Sequence, residues 1–214
     1  MRFYFDFISP YAYLGWPRAK ALAERHGLLL EPIPVLFAAM LDAFGHKGPA
    51  EIEPKRLYTF KHITRLAHNL GVPLHPPPAH PFKPLLALRI AGAAEPERRS
   101  AVIDVLYHQT WGIGAGVTEP EPVARALDAA GLPGTALVTA AGTPEAKARL
   151  RRDTEEALSR GVFGVPCFEI DGEVFWGQDS VPHVERFIAG DDPVTPELLE
   201  RWRDLPGFHR KRPA

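Results

Sequence analysis

Cysteine is almost absent from this chain of 214 residues, with Cys167 the single example. That excludes an intrachain disulfide, a CxxC redox pair and a cysteine-built zinc cage, and it agrees with a reducing compartment. Amide side chains are nearly as scarce: Asn69, Gln109 and Gln178 are all there are. No apolar run approaches the ~18 residues of a membrane span. The opening MRFYFDF is interrupted by Asp6, which is not the plan of a signal peptide. The expected location is therefore the cytoplasm, with no membrane partner. A charge of one sign is also missing, since 25 basic and 26 acidic residues leave a formal net charge of -1. Such a balance argues against nucleic acid as a partner. The 9 histidines are scattered without ligand spacing, so no metal is expected.

Proline is plentiful, at 23, and arginine outnumbers lysine by 18 to 7. A thermophilic source and a GC-rich genome both produce that bias. Apolar residues at 45% and charged residues at 24% describe a globular chain. At this length it forms one domain, or one domain with a large insertion, and its core needs no staples.

Residues 2–8, RFYFDFI, are aromatic and β-branched and predict a buried strand. Ser9 then suits an N-cap, Pro10 a first helical position and Gly27 a C-terminal stop. Residues 28–36 predict a second strand, confined to an edge or a bulge by Pro32 and Pro34. A β-α-β opening implies a parallel pair. The middle of the chain is helical. Leu57, Phe60, Ile63, Leu66, Ala67 and Leu70 follow helical spacing up to Gly71, and six prolines stiffen residues 72–84. Further helix starts are expected at Glu95-Pro96, at Thr118 with Glu121 as a capping box, and at Thr143-Pro144. Two strands, 165–170 and 173–176, flank the hairpin signal Asp171-Gly172, and a helix runs from Asp179-Ser180 to Gly190. A last helix starts at Thr195-Pro196, and HRKRP near the C-terminus reads as a solvated tail.

The expected fold class is therefore α/β, a thioredoxin-like core with a helical domain inserted after the second strand. Residues 1–37 and 161–190 make the core, 38–160 the insertion and 191–214 a C-terminal extension.

Three places in this fold carry chemistry. At Ser9-Pro10-Tyr11-Ala12 a strand turns into a helix whose free N–H groups and dipole stabilise an anion. The chain has kept that architecture and placed no sulfur in it, although Ser9 could also be an N-cap and nothing more. At Gly164-Val165-Pro166 a cis proline would leave the Val165 backbone free to pair with an extended peptide, and a trans proline would simply start a strand. Cys167 beside it reads as a small buried hydrophobe. At Trp176-Gly177-Gln178-Asp179-Ser180, Asp179 and Ser180 either cap the last core helix or bind an ammonium and a carboxylate. The three sites together match a tripeptide with an amino-acid head, a central backbone and a thiol aimed at Ser9, which is glutathione.

The segments FYFDFISPYAYLG, GVFGVP and FWGQDS, in that order, resemble the 2-hydroxychromene-2-carboxylate isomerase family. This family is a bacterial relative of kappa-class glutathione transferases within the DsbA-like thioredoxin superfamily, and the resemblance runs to about residue 190. It implies Ser9 as the catalytic serine. Ser9 and Tyr11 would lie against glutathione, Val165 and Pro166 would pair with its cysteinyl backbone, and Asp179 and Ser180 would hold its γ-glutamyl group. The chain departs from the family pattern at Gly45-His46, where Asn is frequent, at His62, where Asp is frequent, and at Ser180, where Arg is frequent. His46 stands at the position of a glutathione contact. His80 and Phe82, in the proline-rich loop, either line the substrate cleft or serve as rigid scaffold. The implied reaction is a glutathione-dependent isomerisation of a small aromatic-derived molecule, with a homodimer left open. A glutathione transferase and a non-enzymatic peptide-binding protein are the rivals.

Overall fold

The structure is a computed structural model, and it describes residues 1–207. The basic tail HRKRP lies outside the described residues. Strand β1 (Arg2–Phe5) leads into helix α1 (Pro10–His26), and β2 (Glu31–Pro34) returns parallel to β1. Helices α2 (Phe37–Phe44), α3 (Glu53–Leu70), α4 (Leu85–Ala93), α5 (Pro96–Tyr107), α6 (Pro120–Ala129), α7 (Gly134–Ala141) and α8 (Pro144–Ser159) follow. The hairpin β3 (Cys167–Ile170) and β4 (Glu173–Trp176) completes the sheet, and α9 (Val181–Ile188) and α10 (Pro196–Arg203) end the described chain. The strand order is β2-β1-β3-β4, with β3 antiparallel to both neighbours.

The alternation of β1 sorts its side chains onto two faces. Phe3 and Phe5 face α1, and Phe7 joins them just beyond the strand; Phe3 packs edge-on against Phe168 at 5.2 Å and tilted against Trp16 at 5.8 Å. The same core continues through Leu88, Ile103, Leu106 and Trp111 of the helical segment. Tyr4 faces the other way, with Val35, Met40, Ala157 and Cys167. On β2 the Glu31 and Val35 N–H groups donate to the Met1 and Phe5 carbonyls at 2.9 Å. Pro32 and Pro34 alternate with those donors, at the positions that face away from β1, and both are buried.

Both first strands are shorter than their apolar runs. β1 stops at Phe5 because Asp6 starts a turn: its C=O accepts the Ser9 N–H at 3.0 Å, and one carboxylate oxygen accepts the Ile8 N–H at 3.0 Å. The other carboxylate oxygen accepts the Phe37 N–H at the start of α2, also at 3.0 Å. Ser9 caps α1 as expected, its Oγ accepting the Ala12 N–H at 3.2 Å, and Gly27 closes the helix with φ 61°. The capping box at Thr118 is not formed; Glu119 is the N-cap of α6 and Pro120 its first residue, a start that proline's fixed φ sets without a side-chain cap. Leu57 and Leu70, at the ends of the α3 stripe, stay exposed. The hairpin turn at Asp171-Gly172 has φ of 51° and 86°, the positive pair of a two-residue turn.

Asp6 is fully buried without a cation partner, and desolvation pushes its pKa up from 3.8 to about 7, against the two N–H bonds that pull it down. Between those values the folded chain keeps a proton that the unfolded chain has released. Its contribution to stability is complete below about pH 4 and is lost as the pH rises through about 7. Urea unfolding of the wild type and Asp6→Asn across this range checks the sign. The stability difference, wild type minus variant, should fall with rising pH by a few kcal/mol, at roughly 1.4 kcal/mol per tenfold change in proton affinity. A difference that rises with pH would mean that Asp6 is ionised in the fold.

Candidate active site

The residues before Ser9 are fixed from both sides. The Trp111 indole N–H donates to the Phe7 carbonyl at 2.8 Å, from a π-helical turn that extends α5 over His108–Gly112. The His80 Nε2–H faces the Ile8 carbonyl at 3.0 Å. The imidazole stands in an aromatic cluster, edge-on to Phe60 at 5.4 Å, Trp111 at 5.5 Å and Phe82 at 6.2 Å. Burial lowers its pKa, which keeps the ring neutral at neutral pH. His80 therefore sits one residue from Ser9 with its Nε2 already engaged, and Phe82 belongs to the wall behind it.

Ser9 is only 7% exposed, so a ligand reaches it from one side. Its Oγ accepts the Ala12 N–H, and the hydroxyl proton has no protein acceptor among the described residues. That proton can be donated to a negative atom at the N-terminus of α1, where the dipole adds its own stabilisation. Tyr11 projects from the first turn of α1 and is tied to α3 by the 2.9 Å contact between its hydroxyl and His62 Nδ1. Tyr58 stacks on the His62 ring at 5.8 Å. Desolvation, then the nearby Tyr58 and Asp179, raises the Tyr11 pKa and keeps the phenol protonated.

The two C-terminal motifs converge on the same helix. Gly15 lies six residues beyond Ser9, about 9 Å along α1. A Cβ there would stand 3.3 Å from Gln178 Cβ and 3.4 Å from Pro166 Cγ. Any side chain there would push the loops off the helix by a few tenths of an ångström. Arg18, in the next turn of α1, hydrogen-bonds Gln178. The Val165–Pro166 peptide is cis, and no turn or loop hydrogen bond among the described residues engages the Val165 N–H or C=O. Gly177, at φ 97°, presents the turn Gln178–Ser180, with Asp179 exposed. That turn is a 3-10 segment, and α9 begins one residue later than expected, at Val181. Ser180 is the N-cap of α9 but makes no side-chain cap; its hydroxyl donates back to the Trp176 carbonyl. The capping reading of this pair is thereby removed.

His46 follows the Gly45 cap of α2, exposed, its ring 6.5 Å from Phe44. No described hydrogen bond joins it to the Ser9 group. Cys167 is fully buried on β3, its thiol donates to the Gly164 carbonyl at 3.1 Å, and burial pushes its pKa up to about 12. A thiol in that state is not a nucleophile. No group of three or more potential metal ligands occurs among the described residues, and none of their helices is long and apolar enough to cross a membrane. The part played by Asp6 was not anticipated. Its signal was present, a lone acid in the aromatic run FYFDF, but it told only against a signal peptide.

The family model of the DsbA-like thioredoxin domain matches residues 1–189. The chain is 31% identical to a 2-hydroxychromene-2-carboxylate isomerase of Sphingobium xenophagum over 188 residues, 87% of this chain and 96% of that protein. It is 26% identical to human glutathione S-transferase kappa 1 over 215 residues, 92% of this chain and 95% of that one. A solved 2-hydroxychromene-2-carboxylate isomerase superposes with a TM-score of 0.80 at 24% identity, covering 96% of this chain and 98% of the other. The chain belongs to the DsbA-like thioredoxin family and, within it, groups with the 2-hydroxychromene-2-carboxylate isomerases and their kappa-class transferase relatives.

Proposed function

We propose that this protein is a glutathione-dependent isomerase of a 2-hydroxychromene-2-carboxylate-like intermediate of aromatic degradation. The observation that carries the reading is the mismatch between an anion site and the chain's own sulfur. Ser9 stands at the N-terminus of α1 with a hydroxyl proton to give, while Cys167 is buried with a pKa near 12. The thiol that this site is shaped to activate has to arrive with a ligand. Glutathione fits the remaining groups in kind. The Val165 backbone offers one donor and one acceptor for the cysteinyl unit, and the exposed Asp179 carboxylate offers a partner for the γ-glutamyl ammonium. The N–H groups opening α9 would take the carboxylate at that end, while Ser180 Oγ, its proton engaged by the Trp176 carbonyl, would accept from the ammonium.

Bound glutathione supplies the thiolate that adds to a conjugated, ring-opened substrate, allows a bond to rotate and then leaves. The protein's part is electrostatic. Ser9 donates a hydrogen bond where the negative charge resides, and the α1 dipole points the same way, so the thiol pKa falls. Tyr11, held by His62, lines the approach with a protonated phenol. The wall of His80 and Phe82 shields the turn and offers an aromatic surface to the substrate. A protein with a single buried thiol that borrows glutathione fits the reducing cytoplasm.

Isothermal titration with reduced glutathione should show saturable binding in the micromolar to millimolar range, weakened by Asp179→Ala. No heat and no thermal shift at millimolar glutathione would remove the reading. Product analysis should show substrate isomerised with the glutathione pool unchanged, whereas a stable conjugate would indicate a transferase.

Ser9→Ala separates chemistry from folding. Loss of the cap should cost about 1 kcal/mol of stability. Loss of a hydrogen bond to a thiolate should cost roughly 1.5–3 kcal/mol of transition-state stabilisation, on the order of 10–100-fold in rate. Cys167→Ser should change turnover little. Full activity in Ser9→Ala, together with an inactive Cys167→Ser, would assign the chemistry to the protein's own sulfur.

A further inference from the structure

A second polar site lies along the edge strand β2, from Glu31 to Pro34. A cavity of about 170 Å³ opens there between β2 and α8, lined by Tyr4 and by six charged residues: Arg2, Glu31, Arg99, Arg149, Asp153 and Glu156.

Every carboxylate at this cavity already has a cation. Glu31 is 3.1 Å from Arg2, Asp153 is 3.7 Å from Arg149, and Glu156 is 2.9 Å from Arg160. The buried Glu169 behind them is shared by Arg2 at 3.4 Å and Arg160 at 3.2 Å, and it also accepts the Tyr4 hydroxyl. Arg99 is the exception. It is only 9% exposed, yet no carboxylate among the described residues lies within 4 Å of its guanidinium. Its Nη2 donates to the Ala94 carbonyl at 3.0 Å, and its Nε–H is buried with no acceptor.

A buried cation without an ion partner is costly, and an anionic acceptor in the cavity beside the guanidinium offsets that cost; the Nε–H, shut off from solvent, is not one of its contacts. A guanidinium suits the paired oxygens of a carboxylate or the oxygens of a phosphate better than a single-atom anion. With Arg99 counted, four arginines and four carboxylates sum to zero, so the surrounding field is not positive and favours a small ligand of low charge over a polyanion. Burial and then Arg149, which lines the same cavity, depress the Arg99 pKa against Asp153, Glu31 and Glu95, and the same ligand would relieve the repulsion between the two arginines. We propose that this cavity binds the oxyanion group of a small metabolite, carboxylate or phosphate, with Arg99 as its anchor and Arg149 as its second cation.

The test uses the full chain in chloride buffer of matched ionic strength, with sodium acetate and inorganic phosphate as separate probes. The wild type should bind at least one of them saturably, and that probe should raise its melting temperature. Acetate alone would identify the ligand group as a carboxylate, and phosphate alone as a phosphate. Arg99→Met, which keeps the packing of the stem, should melt no lower than the wild type in chloride and lose at least roughly tenfold in affinity for the active probe. Arg149→Met, at a half-exposed position, should weaken the same binding several-fold, and it decides the matter if the first variant fails to fold. Absence of saturable binding of both probes by the wild type up to about 50 mM would overturn the site. So would affinity unchanged in Arg99→Met, or in Arg149→Met if that is the variant that folds.

Discussion

A central strand has to become a helix within four residues, and the rest of the molecule is arranged around that reversal. Residues 6–9 leave the ladder of β1 and owe several polar groups a partner. Asp6 answers locally with its C=O and one carboxylate oxygen, and at long range with the other oxygen on the Phe37 N–H. Trp111 and His80 take the next two carbonyls from the helical segment. Three parts of the chain distant in sequence, at Phe37, His80 and Trp111, therefore meet at one turn, each contributing a single hydrogen bond. Among the described residues the hydroxyl proton of Ser9 is left without a protein partner, and the proposed function rests on that remainder.

This arrangement explains why the helical segment cannot be a passive insertion. Its Trp111 and His80 hold the backbone that presents Ser9, and its His62 holds Tyr11. Its apolar side chains share one core with Phe3 and Phe5. The positioning of the turn and the aromatic wall beside it thus depend on the same residues. On the function proposed above, a change in substrate preference through His80 or Phe82 would be felt at Ser9.

The elements most legible in the amino-acid order were those with local causes. Ser9, Pro10 and Gly27 delimit α1 by capping chemistry, and Asp171-Gly172 sets the hairpin by its dihedral preference. Thr143 and Thr195 cap α8 and α10 in the same way. Lengths and long-range partners were less legible. The run RFYFDFI looks like one strand because aromatic and β-branched residues suit both a strand and a buried turn, and only the burial of Asp6 separates the two. Thr118 and Glu121 had capping-box spacing, but Pro120 starts the helix one residue further on. The closure of Pro166 and Gln178 onto Gly15, and the grouping of Arg99 with Arg149, come from residues far apart in the chain with no local signature. Of the candidate contacts, Ser9, Tyr11, Pro166 and the 178–180 turn gather on α1. His46 stands apart, exposed beyond the end of α2.

The prolines of β2 have an effect outside the monomer. A sheet with two open edges can recruit further strands and grow into a fibre, because each added chain exposes a new edge. Here the outward positions of β2 are Pro32 and Pro34, which have no N–H to donate. That edge keeps its carbonyl acceptors but has no donors, both prolines are buried, and backbone recruitment is left to β4. Two copies meeting through β4 would each carry this donor-free, covered edge on the outside, so growth would end at a pair. The same substitutions that weaken β2 as a strand therefore cap the sheet against open-ended polymerisation.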